Sequence, residues 1–321
     1  MPKFCRHGTA IESCPICRPS LESAQRAAAA RAGRPTARQR ASAAPRKRTP
    51  GRQSSGLVIR HERRAQDDGY RSALAPGLRS SADAERLADE IAQAMGRVAA
   101  LASDPPGLYA EIAHEPDIEE ASWLAFLVAY LCPLEASEDP FAAVRLVRTA
   151  WSDRELPRLE GARLGPRTAH DPARSEDTLI AYRRWAGRAG SQAAAFTADP
   201  GWTPAQRFER VFERLALPGL HRRARYDLLV TLGALGRYPL SAPSLLLSED
   251  DTVSRAAKRV FGIGDRLTLE RRARALAQAA QITIAALDLA LDSWASETRI
   301  SLGSDVCDED AHTHTLAALG C

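Results

Sequence analysis

The apolar run Trp123–Leu131, inside "DIEEASWLAFLVAYLCPLE", constrains the fold more than any other stretch of the chain. It stops at Pro133 and is too short to span a bilayer, which takes about 20 residues. A helix that is apolar nearly all round has to be covered by other elements, so the run predicts a central core helix. Its partners are visible on both sides. "SADAERLADEIAQAMGRVAALA" places Leu87, Ile91, Met95 and Val98 on one stripe, with Ser81 or Asp83 positioned to cap it. "DPFAAVRLVRTAW", "EDTLIAYRRWAGRA", "TPAQRFERVFERLAL", "LHRRARYDLLVTLGALG", "DDTVSRAAKRVF", "LTLERRARALAQAA" and "TIAALDLALDSWAS" all carry helical spacing. No sustained period-2 alternation and no repeat of fixed length occurs, which excludes a β-sheet domain and a solenoid as readings. The expected fold class is all-α, with one helical domain over residues 80–300. Residues 155–176 read as a long irregular connection, a kind of loop that is often functional.

Charge is distributed unevenly around that domain. The net charge of +4 averages a basic stretch with an acidic body. Residues 18–66 hold 13 Lys/Arg against only Glu22 and Glu62, whereas residues 67–321 hold 29 Lys/Arg against 37 Asp/Glu. Residues 21–79 have few large apolar side chains, so they read as a basic, largely disordered linker. Its densest piece, "PRKRTPGR", includes Arg46, Lys47 and Arg48, which would neutralise phosphates and release counterions. No aromatics interleave these charges, so stacking on single-stranded bases is not indicated. Double-stranded DNA is the expected polymer partner. Residues 301–321 read as a loose C-terminal tail, with Cys307, His312, His314 and Cys321 scattered along it. The opening "MPKFCRHGTA" has no apolar signal core, and no run of 18 apolar residues exists, so a cytoplasmic protein with no membrane partner is expected.

Residues 1–20 read as a small Cys/His zinc-knuckle-like module. Cys5, His7, Cys14 and Cys17 give C-x-H-x6-C-x2-C, the thiolate and imidazole set that zinc takes tetrahedrally. So short a segment has almost no core, and a structural zinc would supply its folding energy. The C-x-H spacing is tighter than usual. Six cysteines, unevenly spread, do not make a disulfide framework at this length. Cys132 falls in the apolar helix as a small core residue.

The helix–Gly262–Ile263–Gly264–helix stretch "VFGIGD" resembles a helix-hairpin-helix element. There, glycines permit a tight turn and close approach to DNA, and amides at the second helix N-terminus face a phosphate. Arg266 sits where a basic residue reinforces that contact. Phe261 stands where a proline is common, and Leu267 and Thr268 are bulkier than usual. Asp265 either places a carboxylate beside the phosphate or caps the second helix.

Downstream, Ile284, Leu287, Leu291 and Trp294 form a buried stripe flanked by Asp288 and Asp292. Like charges four residues apart cost a helix a few tenths of a kcal/mol. One reading is two solvated carboxylates; the other is a carboxylate facing a cleft beside the hairpin. Helix-hairpin-helix DNA glycosylases keep a catalytic aspartate at a comparable distance, and by that resemblance Asp288 is the better match.

Residues 117–295, through "EEASWLAFLVAYLCPLEASEDPFAAVR", "YDLLVTLGALGRYPL", "AAKRVFGIGDRLTLERRARALA" and "ALDLALDSW", resemble the alpha-glutamyl/putrescinyl thymine pyrophosphorylases, clade 3. The resemblance implies a glycosylase-like helical architecture and a DNA base-hypermodifying transferase. In the implied reaction a small amine or amino acid displaces pyrophosphate from pyrophosphorylated 5-hydroxymethyluracil in DNA. The leaving group needs cations, for which Lys258, Arg259, Arg266 and Arg271 are placed. The amine needs a base, with Asp288 first and Asp265, Glu270 and Asp227 behind it. The target base must leave the stack. Tyr226 or Trp123 could receive it, although core roles suit both, and Glu119, Glu120 and Asp139 could line the same cleft. Two alternatives stand beside this reading: a helix-hairpin-helix DNA glycosylase, and a non-catalytic zinc-containing DNA-binding protein.

Overall fold

The computed structural model describes residues 65–132, 139–174, 176–248, 251–296 and 306–321. All regular structure among them is helical, as the spacing predicts. The helices are α1 (Ser81–Ser103), α2 (Leu108–His114), α3 (Ile118–Leu131), α4 (Ala142–Val147), α5 (Asp177–Ala189) and α6 (Gln192–Thr197). They continue as α7 (Pro204–Arg214), α8 (Arg222–Ala234), α9 (Thr252–Phe261), α10 (Arg266–Ala279), α11 (Ile284–Ser296) and α12 (Glu309–Leu319). No single described helix is long and apolar enough to cross a membrane.

Two hydrophobic cores organise these helices. The first is built around α3, whose Trp123, Phe126, Leu127, Tyr130 and Leu131 are all buried. Asp117 starts the helix by accepting from the Glu119 amide at 2.8 Å. Phe126 stacks on Tyr182 of α5 with ring centroids 3.7 Å apart, and Trp123 and Tyr130 extend the stack along α3. Helices α2 and α4 to α8 close around it. Each fully buried aromatic or leucine here contributes about 1.5–3 kcal/mol over its exposed state. The apolar run is therefore the central helix its composition implies.

The second core joins the two ends of the described chain. Helix α1 packs against α11 and α12, and α9 and α10 complete the cluster. Leu87 and Ile91 are buried as expected, while Met95 and Val98 are half-buried. Neither Ser81 nor Asp83 caps α1. Its N-cap is Ser80, without a side-chain bond, and Ser81 instead donates to Asp68 at 2.6 Å.

Two expectations about the flanks are corrected. Residues 65–79, expected to be part of a disordered linker, are ordered. There Ala75 and Leu78 are buried in the second core, and the Gly77 amide donates to the Val260 carbonyl at 2.9 Å. A Cβ at Gly77 would lie 2.1 Å from the Arg259 carbonyl oxygen, so only glycine fits that approach. The tail expected to be loose forms α12, capped by Asp308 and anchored by buried Ala311, Thr315 and Leu319. The Tyr70 hydroxyl fastens its end by donating to the Leu319 carbonyl at 2.7 Å. Its apolar face is narrow and is completed by α1, which is why composition alone understates it.

Candidate functional site

The hairpin between α9 and α10 projects from the second core. Phe261 is fully buried and ends α9, and Gly262 turns the chain with φ +79°. Ile263 follows at 98% exposure, and Leu267 is 79% exposed beside it. Asp265 is the N-cap of α10 and accepts from the Thr268 amide at 2.8 Å, which holds its carboxyl below the usual range. The geometry therefore selects the capping alternative for this residue. On the inner side the Arg272 guanidinium donates to the Phe261 carbonyl and braces the turn.

Two adjoining clefts lie next to this hairpin. The hairpin cleft, about 730 Å³, is lined by Lys258, Gly264, Asp265 and Arg266 on one side and by Glu209 and Arg225 on the other. The arginine cleft, about 560 Å³, opens at the start of α8, where His221 and Arg223 meet Arg174 from the 3-10 turn Pro172–Arg174. Arg222 and Arg225 line both clefts.

Arg222 is held at the junction of the two cores. Its guanidinium pairs with Asp288 of α11 and lies 3.2 Å from Asp251. It also donates to the carbonyls of Leu245 and Leu246 and stacks over the Tyr226 ring at 4.7 Å. Asp288 is buried, and burial pushes its carboxyl up to about 7, against the opposing pull of Arg222. One turn further, Asp292 is 1% exposed and receives Arg167 at 2.9 Å and Arg223 at 3.4 Å. Both aspartates are thus buried and not solvated; Asp288 lines neither cleft, whereas Asp292 forms part of the wall of the arginine cleft. Each is matched by arginine brought in from α8 or the preceding connection, which answers the like-charge cost of their spacing.

The structure brings together only part of the set that the sequence singles out. Lys258, Gly264, Asp265 and Arg266 share the hairpin cleft, whereas Gly262 and Ile263, just before Gly264 in the turn, are not part of its lining. Asp288 lines neither cleft and reaches them through Arg222. Arg271 is exposed on α10 outside the cleft lining, and Arg259 stacks over Trp294 at 4.5 Å. Glu270 is buried and accepts from the Leu245 and Leu247 amides at 2.9 and 3.0 Å, so it shapes the cleft wall. Asp227 pairs with Arg97 at 3.0 Å. Tyr226 and Trp123 are core aromatics whose polar atoms bond to the Ser244 and Thr149 carbonyls. Glu119 accepts from two amides at the start of α6, and Glu120 from the Trp151 and Ser152 amides. Asp139 instead accepts from the Phe141 amide at 2.9 Å and from Arg145 at 3.2 Å, at the start of α4. Cys5, His7, Cys14, Cys17, Arg46, Lys47 and Arg48 lie outside the described residues. Among the described residues no cluster of His, Cys, Asp and Glu is arranged to hold a metal ion.

Two features of the clefts were not singled out from the sequence. Glu209 has no hydrogen-bond or ion-pair partner among the described residues and borders the hairpin cleft. Its signal, one glutamate on the exposed face of an amphipathic helix, is too common to read. The run "HRRAR" at 221–225 is a better signal, because four basic residues at a helix start oppose the helix dipole. Comparison with family models, curated proteins and solved structures returns no match for this chain.

Proposed function

We propose that this chain is a DNA base-modifying transferase in which an amine displaces pyrophosphate from pyrophosphorylated 5-hydroxymethyluracil. The observation that carries the reading is the hairpin cleft. Lys258, Arg266, Arg222 and Arg225 bring positive charge to a space that also holds the unpartnered carboxylate of Glu209. About 730 Å³ falls within the range of small-molecule sites and accommodates a flipped base with its substituent. The sequence resemblance supplies the reaction class, and the basic and acidic groups of the cleft suit it.

In this reading the amine nitrogen attacks the methylene carbon and forms a C–N bond. The C–O bond to pyrophosphate breaks, and its electron pair leaves with the phosphate oxygen. Glu209 accepts the proton released by the amine, as a general base should from the cleft wall. Lys258 and Arg266 face the charge that develops on the leaving group. Asp288 is a positioning residue, because it fixes the guanidinium of Arg222 without touching the cleft. The Gly262–Gly264 hairpin approaches the DNA backbone, and the Arg46–Arg48 segment adds salt-sensitive affinity for double-stranded DNA. Cys5, His7, Cys14 and Cys17 would hold a structural zinc.

The test uses the full chain with duplex DNA containing pyrophosphorylated hydroxymethyluracil and a panel of amines, followed by digestion and mass spectrometry. A new amine-bearing nucleoside that Glu209→Gln fails to make is the expected result. Abasic sites would transfer the assignment to a glycosylase. Binding without any altered nucleoside would leave a DNA-binding protein.

A further inference from the structure

The arginine cleft is not used by the chemistry above, and among the described residues that line it arginines outnumber carboxylates. Arg167, Arg174, Arg222, Arg223 and Arg225 line it against two carboxylates, Asp251 and Asp292. Those two carboxylates already have partners. Asp292 is shared between Arg167 and Arg223, and Asp251 contacts the same Arg222 that Asp288 holds. Among the described residues the one carboxylate Arg174 meets is the exposed Asp171, at 3.6 Å. Among the described residues Arg225 pairs with no carboxylate and donates to the Phe212 carbonyl at 3.1 Å. Burial pushes the Arg225 guanidinium below its ordinary value, and the neighbouring positive charge of Arg222 pushes it the same way.

The backbone adds to this field. Helix α8 starts in the cleft with His221 as N-cap, without a side-chain cap and without an acidic residue in its first turn. Its first-turn residues are Arg222 and Arg223. Cations at this end oppose the helix dipole by roughly 0.3–1 kcal/mol each. Arg222 and Arg223 offset part of that cost through Asp288 and Asp292, and an anion at the uncapped helix start would offset more.

We infer that the arginine cleft binds a diphosphate group, through Arg174, Arg223 and Arg225 with the start of α8. A volume of about 560 Å³ exceeds the needs of one phosphate. Guanidinium groups converging from two elements suit bridging anions with several oxygens. The choice of free pyrophosphate as the occupant rests on the transferase reading; the anion site itself does not. The cleft shares Arg222 and Arg225 with the hairpin cleft, so it offers released pyrophosphate a place beside the reacting base.

Titration calorimetry of the full chain with inorganic pyrophosphate, without DNA or amine, tests the site. Arg174→Glu changes an exposed side chain and should leave the fold intact, and Arg188→Glu on α5 repeats the charge change away from the cleft. The expected result is saturable binding that Arg174→Glu and Arg223→Ala each weaken by about tenfold, the scale of one charge-assisted contact. Arg188→Glu should change it less than twofold on the same scale. Absence of binding, equal affinity in all variants, or a parallel loss of affinity for plain duplex DNA would overturn the proposal. Binding with these properties but without amine transfer would sink the transferase reading alone.

Discussion

The starts of α8 and α10 border neighbouring clefts yet treat the helix dipole in opposite ways. Helix α10 carries its own anion, since Asp265 occupies the cap and satisfies the Thr268 amide. Helix α8 has His221 at its cap with no side-chain hydrogen bond, and the cations Arg222 and Arg223 in its first turn. A capped start is stable alone and presents its approach surface through the glycine turn. An uncapped, cationic start stores unfavourable charge that a ligand can relieve. In the proposed reading the hairpin is accordingly assigned to a polymer and the start of α8 to a small anion.

The largest expected effect comes from removing what both clefts share. Arg222→Ala leaves Asp288 buried without its partner and withdraws donors from the Leu245 and Leu246 carbonyls. Breaking one side of a buried pair costs about 3–5 kcal/mol. Urea denaturation should show that loss, and the double variant Arg222→Met/Asp288→Asn should recover most of it. A loss that persists in the double variant would mean that the carbonyl contacts, and not the ion pair, hold the two cores together.

Exchanging the two caps is the next test. His221→Asp places a side-chain acceptor at the extended N-cap of α8, whose φ and ψ of −64° and 156° suit it. It should stabilise the protein by about 1 kcal/mol and abolish most pyrophosphate binding. Asp265→Ala does the reverse at α10, lowering the melting temperature slightly while strengthening duplex binding. If His221→Asp stabilised the protein yet left pyrophosphate affinity unchanged, the uncapped start would have no bearing on the anion.

The legibility of these features follows from their range along the chain. Helical class and the burial of α3 depend on spacing within a few residues, so the sequence carries them openly. The capping role of Asp265 is equally local, being three residues from its partner. Asp288 and Asp292 are different. Their partners Arg222 and Arg223 stand 66 and 69 residues away, and a pair at i, i+4 looks like surface repulsion until α8 is laid against α11. The second core hides for the same reason, because its helices come from opposite ends of the described chain. The resemblance to helix-hairpin-helix glycosylases singled out Asp288, which is buried against Arg222 and lines neither cleft.

The smallest expected effect on stability separates the clefts most cleanly. Ile263 is almost wholly exposed between two glycines, with Leu267 beside it, so nothing in the fold rewards either side chain. Ile263→Ser should leave the melting temperature unchanged, as surface changes away from special features do. An apolar tip on a basic hairpin gains its contacts only when a groove or backbone closes over it. Fluorescence anisotropy with a labelled duplex should therefore show weaker binding for Ile263→Ser and no change in pyrophosphate affinity by calorimetry. His221→Asp should show the converse, with the anion lost and the duplex kept. Such a crossed pattern requires two independent surfaces, one for polymer and one for small anion. Variants that moved both ligands together would reduce the hairpin and the arginine cleft to a single basic face.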